Sequence, residues 1–436
     1  MPLYEFDDDG KTLIPVLHSL HSRARLAPTD VGAALSRETK KTGQLNAKER
    51  GYKGLGTAED PILIENVQDL MGLDGIGAKG YYFLQTADID CSEITTWSDI
   101  NLRGHYDGGG HFVQYKQVDI DYDWEDGNNY YPLFQSIQAQ SSVKNLELRD
   151  LNLAKNIAGS HIDACTTNQS LIFENATNST ITACQSSESL IGGNVDNSTI
   201  TTCQSGNFLI YGNADNSAFT ACQSDSFLIN GNADNTAITA CQSGGFLILG
   251  TATNSTIIGC LVAMNVSRNI DYQGGVAQTL KNSTVGWCLV TGKVNLGKSN
   301  FDFSGITNNC DASTIHQCAI GRVNLASARW AGRIASRIQN NSTLENNISI
   351  DSNSATQNDE KKDGKSISPA LFNQRYFEHT LDWDFQSAWQ WDDQKDHPVL
   401  RSVGVNAKTA SPAKPTAPQA DTVDLLTQQI QANIWL

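Results

Sequence analysis

Cysteine and aspartate are the residues of this chain whose spacing first invites a chemical reading. Cys165, Cys184, Cys203, Cys222, Cys241 and Cys260 stand 19 residues apart. A row of thiols can serve as a redox or metal ladder, or as small buried side chains, the common setting of an unpaired cysteine. No His or acidic partner recurs with them at the period, and the CxxC pairs of a zinc site are missing. Packing with free thiols is therefore the expectation. Asp196, Asp215 and Asp234 repeat at the same interval. Acids at a turn cap local backbone N–H groups, and a column of them can also bridge calcium. A denser group, Asp119, Asp121, Asp123, Glu125 and Asp126 in "DIDYDWED", alternates as on one strand face. It can hold calcium, flank a sugar or form a solvated acidic strand. Calcium is the one cofactor raised by these residues; none is required.

The elements that position them follow from the period. A fixed repeat near 20 residues marks a solenoid whose coils bury their apolar side only against neighbouring coils. In register, Asn178, Asn197, Asn216, Asn235 and Asn254 form one column, and Leu171, Leu190, Leu209, Leu228 and Leu247 another. Ile172, Ile191, Ile210, Ile229 and Ile248 form a third. A fourth is Gly193, Gly212, Gly231 and Gly250, the first three followed by Asn194, Asn213 and Asn232. Nineteen residues are too few for two packed helices, and Thr, Ile, Ser, Asn and Gly favour short strands with tight turns. Coils stacking at about 4.8 Å give a parallel β-helix, an all-β solenoid. Stacked Asn side chains pass amide hydrogen bonds between coils. The "GNAD" turns read as corners where Gly and Asn adopt positive φ. Asn-x-Ser/Thr triplets at Asn178, Asn197, Asn254 and Asn282 then read as ladder positions rather than glycosylation acceptors.

The signature continues outside the regular coils, as "SSVKNLEL" at Ser142, "NSTVGWC" at Ser283, "ASTIHQC" at Ser313 and "NSTLENN" at Ser342. The later intervals of 28, 30 and 29 residues leave room for outward loops. Those loops carry Tyr272, Phe301, Phe303 and Trp330, the candidate binding aromatics.

Five stretches occur in a recognisable order: "GLGTAEDPILIENVQDLMGL" (54–73), "DGGGHFV" (107–113), "YYPLFQSIQAQSSVKNLEL" (130–148), "GGVAQTLKNSTVGWCLVTGKV" (274–294) and "LDWDFQSAWQWDDQKDHPVLR" (381–401). In that order the chain resembles the GLUG-type β-helix proteins. The resemblance covers residues 54–401 and implies a single-stranded right-handed parallel β-helix of bacterial surface and secreted proteins. It often serves there as a non-catalytic stalk or adhesive module. It implies no catalytic residue. Terminal caps are expected, because open strand edges invite endless stacking. "ENVQDLMGL" can form a helix at one end; Trp383, Phe385, Trp389 and Trp391, with Pro398, can plug the last coil at the other.

The flanks divide the chain further. Residues 1–53 read as a basic leader with short helices, 402–420 as a Pro/Ala linker and 421–436 as an amphipathic helix. Val423, Leu426, Ile430 and Ile434 line one stripe of that helix, which offers self-association. The start of the sequence has no apolar core after a basic segment, and no run approaches the ~18 apolar residues needed to cross a bilayer. A secreted or cell-surface protein exported without a cleaved leader is expected, with a cytoplasmic one as runner-up.

The net charge of −16, with no Lys or Arg from 161 to 267, excludes a general affinity for nucleic acid or anionic lipid. Elongated β-helices also include pectin-degrading enzymes, which group carboxylates with Gly-His-Gly and Arg-Ile-Lys elements. Here "GGGH" at Gly108 and "GRI" at Gly332 are fragments of these. No Ser-His-Asp order, P-loop or HExxH is present. The expected function is non-catalytic binding of a glycan or protein surface. Two alternatives stay open: a carbohydrate-active β-helix using the 119–126 acids, and a secreted effector or filament subunit using its terminal helices.

Overall fold

Each regular coil alternates strands of two or three residues with corners, and the corners explain the repeated letters. The computed structural model describes residues 4–6, 13–15 and 51–401, the last with gaps at 76–79, 96, 98, 116–130, 268–272, 296–300, 326–327 and 351–359. Within 51–401 the strands stack into three parallel sheets of 13, 13 and 11 strands, a parallel β-helix. Thr180–Thr182, Gln185–Ser186 and Val195–Asp196 sample the three sheets in turn, and each pairs with the residue 19 positions on. Inside run Ile181, Ile200, Phe219 and Ile238 from the first sheet, with the Leu and Ile columns beyond them, all fully buried. Each such side chain contributes roughly 1.5–3 kcal/mol. Phe208, Phe227 and Phe246 form a further internal stack with centroids 5.5 and 5.4 Å apart.

Two corners are built alike. At the first, a left-handed residue such as Asn178 or Asn197 (φ 50° and 47°) precedes a buried Ser. The Ser179 N–H donates to the Ser198 Oγ at 3.0 Å, and the Ser179 hydroxyl donates to the Thr177 carbonyl at 2.8 Å. At the second, Ala183, Thr202 or Ala221 is left-handed and a buried Cys follows. The Cys184 N–H donates to the Cys203 Sγ at 3.4 Å, and its thiol to the Thr182 carbonyl at 3.2 Å. Cysteine is thus the sulfur counterpart of the serine ladder, hydrogen-bonded as well as buried. The ladder runs on through Cys288 and ends when Cys318 N–H meets the Asn347 Oδ1 at 2.9 Å.

The third corner corrects the reading of "GNAD". Gly212 and Gly231 are not among the positive-φ residues. They are glycine for space: a Cβ on Gly231 would lie 2.4 Å from the Asn213 Oδ1 and 2.6 Å from the Gly212 carbonyl oxygen. That Oδ1 accepts the Asn232 N–H at 2.8 Å, and Asn194 does the same for Asn213. The Asn178 column is exposed and links coils in another way, through Asn197 to Asn178 (2.5 Å), Asn216 to Asp196 (3.0 Å), Asn235 to Asn216 (2.9 Å) and Asn254 to Asp234 (3.2 Å).

Thr202 is a β-branched residue at φ 52°, where a Cβ costs about 1–2 kcal/mol and glycine gives back part of the gain in chain entropy. Gly259 takes the same corner three coils on, at φ 63°. Thr202→Gly is expected to raise stability by about 1 kcal/mol, seen as a higher denaturant midpoint at unchanged slope.

The two ends differ. At the amino end Asn66 caps the helix Val67–Met71 by accepting the Asp69 N–H, and Leu70 enters the core. At the other end the helix Glu360–Asp363 precedes Lys365–Ile367, the last strand of the second sheet. The aromatic segment does not plug the coil. Phe372, Phe377, Trp383, Phe385 and Trp389 pack instead against Leu261, Leu289, Ala319 and Ile348 on the outer side of the second sheet. The Trp383 indole donates to the Gln317 carbonyl at 2.8 Å. In the regular coils the same outward column is Gln185, Gln204, Gln223 and Gln242. The column turns apolar where it is covered.

The longer coils add a strand. Gln273–Gly274, Phe301–Ser304 and Ala328–Gly332 form a small parallel sheet, with Phe303 opposite Trp330. Residues Met1–Leu45 form a separate unit in which Tyr4–Phe6 pairs antiparallel with Leu13–Pro15. The expected leader helices, the linker 402–420 and the helix 421–436 lie outside the described residues.

Candidate binding faces

Alternation along a strand sends every second side chain outward. In Thr180–Thr182 the central Ile points in and both threonines point out. Pairing in register then aligns Thr182, Thr201, Thr220 and Thr239 in one column. A second column holds Thr180, Thr199, Ala218, Ala237 and Thr256. Backbone geometry sets the spacing, about 4.8 Å between columns' neighbours and about 6.6 Å from a threonine to its partner two residues on. The first sheet shows no register shift among the described pairs, whereas the other two long sheets each carry one. From Thr180 to Ile258 the outward positions of this face hold no charged side chain. Asp163 stands at its near edge, and burial pushes its carboxyl above the usual range.

The second face presents the Gln column. The third presents Asp196, Asp215 and Asp234. Partial burial raises the Asp215 carboxyl, and the like charges of Asp234 and Asp196 add to the shift. Among the described residues no group of three or more His, Cys, Asp or Glu is placed to hold a metal ion.

All ten cysteines are buried free thiols. Burial pushes the thiols of Cys165, Cys203, Cys241, Cys260 and Cys318 well up, and that of Cys91 to about 12. The reactive thiolate is thereby suppressed at those positions, and burial denies a reagent access to all ten. A thiol reagent is expected to label none of them in the native protein and all ten after unfolding without reductant.

The other candidate residues separate. Asp119, Asp121, Asp123, Glu125, Asp126 and Tyr272 lie outside the described residues. Phe301 and Trp330 belong to strands of the small sheet. Phe303 is fully buried, so the expectation that it lines a binding surface is corrected: it packs inside the longer coils. His111, from the "GGGH" fragment, pairs with Asp88 at 3.1 Å. Arg333, from "GRI", is buried with Asp363. The threonine and glutamine columns carry no charge, sulfur or aromatic ring to mark them in the sequence as candidates. Their signal was present in "TIT" and "CQS", whose outward letters recur although packing does not demand them.

No protein-family model matches the chain, and no curated protein matches it. A solved structure that it resembles is that of a "putative immunoglobulin A1 protease" from Bacteroides ovatus, at 15% identity over 80% of this chain and 94% of that one, with a TM-score of 0.23. At that level the likeness carries no argument about this protein.

Proposed function

We propose that this chain is a non-catalytic β-helix that attaches to an extended glycan or protein surface through outward side chains repeated along its axis. The observation that supports the reading is selective repetition. Outward positions drift at Gly192, Tyr211, Asn230 and Leu249, and again at Ser187, Gly206, Asp225 and Gly244. The outward Gln185, Gln204, Gln223 and Gln242 do not drift, and neither do Thr182, Thr201, Thr220 and Thr239. Inward letters repeat because they touch their own copies; outward ones gain nothing from the core by doing so. A repeating ligand gives them a reason. The order of the five stretches, which resembles that of GLUG-type proteins although no family model matches, accords with a secreted or surface-held adhesive module.

Incubation with insoluble polysaccharides and arrayed proteins tests this. The reading predicts saturable retention with no soluble sugar released. Release of soluble sugar would instead establish the carbohydrate-active alternative.

A further inference from the structure

We propose that the threonine face binds ordered water, and that the surface it recognises is ice. This rests on the surface-binding reading above and names the surface.

The face is a two-dimensional array, not a pocket. Thr182, Thr201, Thr220 and Thr239 repeat one coil apart, and Thr180 and Thr199 stand beside the first two. Each threonine offers one methyl and one hydroxyl. These hydroxyls make no hydrogen bond to protein among the described residues, so water is their partner. Water molecules held on equivalent hydroxyls inherit the spacing of the strands, about 4.8 Å in one direction and about 6.6 Å in the other. The methyls, with those of Ala218 and Ala237, keep loosely bound water from filling the spaces between.

Charge and shape select the occupant. The chain carries −16 overall, yet this face carries no charge from Thr180 to Ile258, so its partner is neutral. It also presents no aromatic ring along those coils, which removes the stacking platform that sugars favour. What remains is a neutral array of small donors and acceptors that repeats along the axis and, at Thr180/Thr182 and Thr199/Thr201, across the strand as well. The array is ordered before it binds. Branching at Cβ restricts χ1 of each threonine, Ile181, Ile200, Phe219 and Ile238 fix the strands from beneath, and the Ser and Cys ladders fix both edges. Little freedom is left to lose on contact, the condition under which many weak contacts add up.

The test is the growth of single ice crystals in a solution of the full chain, combined with partition of the protein into a slowly growing ice front. Wild type is expected to facet the crystals, open a gap between melting and freezing points, and enrich in the ice. The Thr201→Lys/Thr220→Lys pair places two long cations in the array and is expected to lose all three effects. Tyr211→Lys/Asn230→Lys adds the same charge to two neighbouring coils at outward positions that drift, away from the threonine face, and is expected to keep them. Far-ultraviolet circular dichroism reports whether each variant is folded; if the threonine pair unfolds, the single Thr201→Lys replaces it. Unfaceted crystals with wild type, or effects that survive in the threonine variant, overturn the proposal. If wild type ignores ice but is retained on an insoluble polysaccharide or an arrayed protein, the ice assignment falls and the surface-binding reading stands. Retention on none of them removes both.

Discussion

Asp363→Ala is expected to destabilise the carboxyl end of the solenoid by about 3–5 kcal/mol, the cost of breaking a buried ion pair from one side. Arg333 and Asp363 have side chains only 4% and 5% exposed, with Nε and Oδ1 3.7 Å apart. The same Oδ1 accepts the Arg333 backbone N–H at 2.8 Å, while the guanidinium donates to the Ser366 Oγ at 2.7 Å. Removing the carboxylate takes a close negative charge from a buried cation and the acceptor from the buried Arg333 N–H. Because coils contact only their neighbours, the loss is local. Hydrogen exchange should show it as fraying of the coils beside 330–367, with the coils around Cys203 unaffected. Arg333→Met/Asp363→Ala is expected to be less damaging than Asp363→Ala alone, since it removes the buried cation together with its carboxylate.

Gly231→Ala is the second large effect, about 2–4 kcal/mol, adding the strain of an overpacked methyl to the loss of a solvent-exposed hydrogen bond between coils. The new Cβ would meet the Asn213 Oδ1 and the Gly212 carbonyl, and the second of these is backbone and cannot swing away. Displacing the Asn213 amide also releases the Asn232 N–H. Denaturant titration measures the loss. Gly259→Ala is the informative contrast: no neighbour lies within 4 Å there, and its φ is 63°. That change is limited to the cost of a left-handed alanine, about 1–2 kcal/mol.

The period and the column residues made the architecture legible, because in a parallel β-helix every inward side chain meets its own copy one coil away. Cys184 and Ser179 show the limit of that reading. Their repetition marked them as buried, but the paired N–H and carbonyl bonds that make Cys equivalent to Ser need corner geometry to be seen. The glycine column was legible as turns for the wrong reason. A letter shows that a Cβ is missing; only neighbouring coils show that an amide oxygen occupies its place. The aromatic segment at 381–401 was legible as packing but not as to where it packs. Its position was written elsewhere, in the change from Gln242 to Leu261, Leu289, Ala319 and Ile348, an outward column losing its polarity. The outward threonines were not legible as a site, because they bear no charge, sulfur or aromatic ring and differ from ordinary strand surface only by repetition. A neutral array does its work by spacing.

Each 19-residue unit is one interchangeable turn of a single coiled axis. Deleting Ser198–Asn216 joins Asn197 to Ser217 and keeps every ladder in register, whereas deleting 198–207 shifts one sheet onto another. Circular dichroism and thiol labelling of the two deletions decide the matter. The first is predicted to keep the β spectrum, a cooperative unfolding transition and every remaining thiol protected, while the second loses all three. If removing the whole unit unfolds the protein as thoroughly as removing the fragment, the stacked-coil account is wrong.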